Sequence, residues 1–68
     1  MDGHFITYKT PIGNFTEYVK HMDDAGIADL VTKLITGEEP FRKIKHNDEV
    51  VFLGSELLKN SIISYSRI

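Results

Sequence analysis

Asp23-Asp24-Ala25-Gly26-Ile27-Ala28-Asp29-Leu30-Val31-Thr32-Lys33-Leu34-Ile35-Thr36-Gly37 reads as one amphipathic helix, and the rest of the chain is organised around it. Ile27, Leu30, Val31, Leu34 and Ile35 fall at i, i+3, i+4, i+7 and i+8, a continuous apolar stripe at helical period. Asp23 is an N-cap residue whose carboxylate can accept one of the free backbone N–H groups of the first turn. Asp29 and Lys33, four apart, share the outer face and add a few tenths of a kcal/mol. Gly37 suits the left-handed position that closes a helix, and Pro40 bars any continuation. The spacing therefore predicts a helix over 24–36.

On its N-terminal side, His4-Phe-Ile-Thr-Tyr-Lys-Thr10 is aromatic and β-branched, and Phe15-Thr-Glu-Tyr-Val-Lys20 resumes the pattern. Pro11-Ile12-Gly13-Asn14 between them is turn chemistry. A hairpin with Ile12-Gly13 as its loop sets Tyr8 opposite Glu17, Ile6 opposite Val19 and His4 opposite His21. One face then carries Ile6, Tyr8, Phe15 and Val19, the better core face. The other carries Phe5, Thr7, Lys9, Thr16, Tyr18 and Lys20. A longer helix starting at Phe15 is the rival reading; Thr16, Tyr18 and Val19 favour the strand.

C-terminal to the helix, Phe41-Arg-Lys-Ile-Lys-His46 is a polar strand suited to a sheet edge. Asn47-Asp48 makes a turn. Glu49-Val-Val-Phe-Leu53 is the most apolar strand and is expected to be central. Gly54-Ser55 breaks it, Ser55 can cap a turn over Glu56 to Lys59, and Ser61 to Ile68 is the last strand. In that strand Ile62, Ser64, Ser66 and Ile68 alternate with Ile63, Tyr65 and Arg67. The expectation is one α+β domain over 1–68: a small curved antiparallel sheet with one main helix in ββαβββ order.

The chain has 68 residues, 41% hydrophobic and 26% charged, which is globular rather than disordered composition. A chain of this size buries only about 60% of the surface it exposes when unfolded, and often gains from a partner. The absence of cysteine removes disulfides and thiolate metal ligands as staples. A net charge of −2 lacks the positive field of a general nucleic-acid binder, so nucleic acid is not expected as a partner. The polar start Met1-Asp2-Gly3-His4 lacks a signal-peptide layout, and no apolar run approaches the length of a membrane helix. A cytoplasmic protein without membrane association is expected. Scarce alanine and frequent Ile, Lys, Thr and Asn fit AT-rich coding DNA, as in a low-GC bacterium or its phage.

Residues with chemical potential all have plainer readings. His4 and His21 across a hairpin could form half a metal site, but spacing supplies no third ligand. The acids Glu38-Glu39 and Asp48-Glu49 fit solvated turns better than an acid–base pair at a set distance. No serine sits in a nucleophile elbow, and the glycines form no phosphate loop. An anion at Gly26 near the helix start is opposed by Asp23 and Asp24. No catalytic residue, metal or cofactor is expected.

Arg42, Lys43, Lys45 and His46 form a basic cluster which, with Phe41 or Tyr65, could hold a phosphate or stack a base. A solvated, charged edge strand that resists aggregation explains it better, given the acidic total charge. The tyrosines carry more weight, because one helix cannot cover both faces of the strands and tyrosine is favoured at interfaces.

The expected function is that of a small non-enzymatic interaction protein, a regulator or inhibitor of another protein, encoded by a phage or prophage and acting as a homo-oligomer. Its interaction residues are Phe5, Thr7, Tyr18, Arg42, Lys43, Tyr65 and Arg67. The alternative is a module that sequesters a small anionic ligand such as a nucleotide between subunits, lined by tyrosines and by Arg42, Lys43 or Arg67.

Overall fold

The computed structural model describes residues 3–67. The expectations that involve Met1, Asp2 and Ile68 lie outside the described residues. The elements run β1 (Gly3–Thr10), β2 (Gly13–Lys20), α1 (Asp24–Thr36), β3 (Phe41–His46), β4 (Glu49–Gly54), α2 (Ser55–Leu58) and β5 (Ile62–Arg67). The class is α+β with one main helix, as the sequence implies. The strands form two antiparallel sheets rather than one: β2-β1-β5 and β3-β4.

α1 has the expected boundaries. Asp23 Oδ1 accepts from Gly26 N at 2.8 Å, so the N–H that an anion would need is already taken. Gly37 closes the helix at φ 81°, a conformation that a side chain would strain. Asp29 and Lys33 pair at 3.2 Å on the outer face. The stripe is narrower than expected: Ile27 and Leu34 are buried, Leu30 and Val31 are half-buried and Ile35 is exposed. Ile35 follows Leu34 by about 100° of helix rotation, which carries it past the edge of the core. α2 is a single turn. Its N-cap position is Gly54 and no side chain caps it, so Ser55 does not take the capping role expected of it.

β1 and β2 form the expected hairpin with a different loop. Thr10 pairs with Gly13, leaving Pro11-Ile12 as the turn. Two-residue hairpin loops favour positive φ at their central positions, and proline cannot supply it. Gly13 absorbs the twist at φ 144°. Thr10 Oγ1 accepts from Ile12 N at 3.2 Å and donates to Gly13 O at 2.6 Å. The register moves by two, so Ile6 opposes Glu17, Tyr8 opposes Phe15 and His4 opposes Val19. An even shift keeps every side chain on its expected face. It does separate the histidines: His21 lies beyond the strand at φ 58° and is exposed. The half-site for a metal drawn from His4 and His21 is thereby removed.

β4 is not central; the central strand is β1, between β2 and β5. Among the described residues β4 pairs only with β3, across an Asn47-Asp48 turn at φ 50° and 64°, the left-handed pair of a tight hairpin. The core lies between the inner faces of the two sheets and the helices. Ile6 and Tyr8 from β1, Ile44 and Leu53 from the second hairpin, Ile27 and Leu34 from α1 and Leu58 from α2 form its centre. Phe15, Val19, Met22, Leu30, Val31, Val51, Leu57 and Ile63 pack against it.

Candidate interaction surfaces and the polar clusters beneath them

The strand faces turned away from this core are the most exposed apolar areas. On the β2-β1-β5 sheet, alternation sends Phe5, Thr7 and Tyr18 to the side opposite Ile6 and Tyr8. Phe5 and Tyr18 are directly paired across the strands. Their ring centroids lie 5.4 Å apart, and the residues are 44% and 41% exposed. Thr7 pairs with Thr16 and with Ser64, and Phe5 with Ser66, so hydroxyl side chains flank the aromatic pair. Tyr18 also lies over the backbone of Gly3, where an added Cβ would meet its hydroxyl at 2.6 Å. Glycine there lets the ring lie flat on the sheet. Beside this face, the outer edge of β5 has no strand partner among the described residues.

A second apolar surface is the outer side of the β3-β4 hairpin. Lys43 opposes Phe52 and Lys45 opposes Val50. Phe41 and Phe52 approach to 5.6 Å between centroids, and Phe41, Val50 and Phe52 are 51%, 57% and 61% exposed. Reading β4 as a central strand hid this surface, because both its faces are apolar.

The remaining expected interaction residues point elsewhere. Arg42 turns inward, donating Nη2–H to Glu17 Oε1 at 2.8 Å and Nε–H to Glu17 Oε2 at 3.1 Å. The Tyr8 hydroxyl donates to the same carboxylate. Glu17 is buried among Ile6, Tyr8, Phe15 and Val19 on the inner face, and the guanidinium fork of Arg42 meets both of its carboxylate oxygens. Burial, then the Glu17 hydrogen bond and its charge, push the Tyr8 phenol above the ordinary tyrosine range. The Glu17 hydrogen bond likewise raises Arg42. Sequence reasoning missed this cluster. The signal was Glu17 in phase with an apolar face, together with Arg42 in phase with Ile44.

Tyr65 and Arg67 lie on the helix side of β5, opposite Ile6 and His4. Tyr65 packs edge-on against His4 with centroids 5.8 Å apart. His4 is 3% exposed and its Nε2 is hydrogen-bonded to Asp24 Oδ1 at 2.9 Å, the other ring nitrogen being Nδ1. That nitrogen is buried without a partner among the described residues. Arg67 Nη2–H reaches Asp24 Oδ2 at 2.8 Å. Hydrogen bonds from His4 and then Arg67 hold Asp24 below the usual carboxylate range. The cluster pins the start of α1 to the end of the sheet. Its imidazole is sealed from any dissolved substrate.

Of the cations assigned to an anion pocket, Arg42 is thus paired with the buried Glu17 and Arg67 with the exposed Asp24, whereas Lys43 is free of ion pairs among the described residues. No grouping of His, Asp and Glu among the described residues has the arrangement of a metal site. No helix among them is long and apolar enough to cross a membrane. No protein-family model, curated protein or solved structure matches the chain.

Proposed function

We propose that this chain is a non-enzymatic interaction protein, a small regulator or inhibitor of another protein, which works as a homo-oligomer through the outer face of the β2-β1-β5 sheet and the free edge of β5. The observation that carries the reading is the stacked Phe5–Tyr18 pair, over two-fifths exposed on the side of the sheet away from the helix. Tyrosine and phenylalanine contribute large apolar area at little entropic cost, and tyrosine keeps a polar handle at the rim. The unpaired edge of β5 supports strand addition, in which main-chain hydrogen bonds join two copies across a two-fold axis. A standard interface takes about 800 Å² from each partner, roughly a sixth of the 4559 Å² that this chain exposes. One sheet face and its edge can provide that area. The Ile- and Lys-rich composition supports a source in a low-GC bacterium or its phage.

Light scattering coupled to size exclusion tests the reading. At high micromolar concentration the parent is expected to run as a dimer or larger, and Phe5→Ser with Tyr18→Ser as a monomer of unchanged circular dichroism. A parent that stays monomeric under those conditions refutes the oligomer.

A further inference from the structure

The outer face of the β3-β4 hairpin has a charge arrangement of its own. Its apolar part is Phe41, Val50 and Phe52, each more than half exposed. Its charged part is Lys43 and Lys45, which alternate with Phe41 along β3 and point the same way. Neither lysine is in an ion pair among the described residues. No acidic side chain shares the face: the inward-phase positions of the two strands hold Arg42, Ile44, His46, Glu49, Val51 and Leu53. Acids do stand at both ends of β3, Glu38-Glu39 before Phe41 and Asp48-Glu49 around the turn.

The surface is therefore a short positive window set in apolar area and closed at both ends by negative charge, on a chain whose net charge is −2. A long polyanion suits it poorly, because phosphates running past the two lysines would meet the flanking acids and gain few counterion-releasing contacts. A segment with one or two carboxylates at its centre and apolar side chains around them meets every part of it. A sheet face is buried by a helix or by a second sheet; a single segment that supplies both parts at once is a helix, with apolar residues three and four apart and acids at the margin of the stripe.

We propose that the outer face of the β3-β4 hairpin docks an acidic amphipathic helix of a partner protein, whose apolar stripe covers Phe41, Val50 and Phe52 while its carboxylates meet Lys43 and Lys45. The proposal rests on the reading of the chain as an interaction protein. It uses a different sheet from the oligomer contact, so a monomeric parent leaves it standing.

The test is selection from a random peptide display library on the native chain, with counter-selection on a Lys43→Glu, Phe52→Ser variant checked for native circular dichroism. Both substituted residues are on the outer face and away from the core. The expected result is a pool enriched in Asp and Glu and in apolar residues at three- and four-residue spacing, with affinity for the variant at least tenfold weaker. A pool that is neutral or basic, one that binds the variant equally well, or no enrichment at all overturns the proposal. A single-stranded oligothymidylate is titrated in parallel by fluorescence anisotropy. Binding of that probe, lost in the same variant, assigns the face to nucleic acid instead and equally overturns the proposal.

Discussion

Replacing Arg42 by alanine is expected to be among the most damaging substitutions in the chain, although arginine in a polar-looking strand appears dispensable. The reason is the group it leaves behind. The Glu17 side chain is 8% exposed and that of Arg42 is 27% exposed. Without the guanidinium, the carboxylate keeps only the Tyr8 hydroxyl as a side-chain partner. Breaking a buried pair from one side costs about 3–5 kcal/mol. Water entering through the partly exposed Arg42 site lowers that to about 2–4 kcal/mol. At about 0.05–0.15 kcal/mol per residue, a chain of this length has roughly 3–10 kcal/mol in total. The variant thus loses a large share of its stability, and its Tm falls by about 10–30 °C.

Urea unfolding followed by circular dichroism measures the loss, with an unchanged m value as the condition for reading it as stability. The triple substitution Tyr8→Phe, Glu17→Leu, Arg42→Met removes every polar member together and is expected within about 1–2 kcal/mol of the parent, because no buried charge is stranded. A loss below about 1 kcal/mol for Arg42→Ala refutes the claim that the carboxylate is sealed and dependent on the arginine.

Other outcomes follow from the same geometry. The Tyr8 phenol is raised above its ordinary value, so above about pH 10 the unfolded chain releases a proton that the folded one retains, and stability falls by about 1.4 kcal/mol per pH unit. Alkaline unfolding curves of the parent and Tyr8→Phe, compared over that window, are expected to show the slope reduced in the variant. Asp24 is shifted the other way, held down by His4 and Arg67; its contribution is complete above the unfolded carboxylate value of about 4 and disappears as pH falls through the lower folded value. Asp24→Asn is therefore expected to be less stable than the parent at neutral pH, with the gap closing in strong acid, as read by thermal melts across pH.

The sequence made α1 legible because each signal was local: the cap, the stripe and the terminal glycine all act within four residues. The two faces of the first hairpin were equally legible, since alternation along a strand survives an even error in register. The position of β4 was not. Val50 and Phe52 point one way and Val51 and Leu53 the other, so both faces are apolar, which is the pattern of a strand buried on both sides. Nothing local reports that β4 has β3 as its one strand neighbour among the described residues. Arg42 and Glu17 were hidden for a related reason. They are 25 residues apart, and each is an ordinary surface residue type until the fold brings them together.

The division into two sheets changes where the unsheltered surface lies rather than whether it exists. A single curved sheet would leave one outer face. Two sheets folded over a common core share α1 and α2 on the inside and leave two outer faces. These are the hydroxyl-flanked Phe5–Tyr18 pair on one and the lysine-bearing Phe41–Phe52 pair on the other. The first holds a nearby charge, the Lys20 ammonium, over the Tyr18 ring at 5.9 Å, and it adjoins an open strand edge among the described residues, which suits main-chain pairing with a second identical copy across a two-fold axis. The second carries two unpaired positive charges, and a second copy apposed there would set lysine against lysine. The open edge of β5 therefore favours self-association on the first sheet, whereas the two lysines without ion pairs on the second call for a partner of opposite charge.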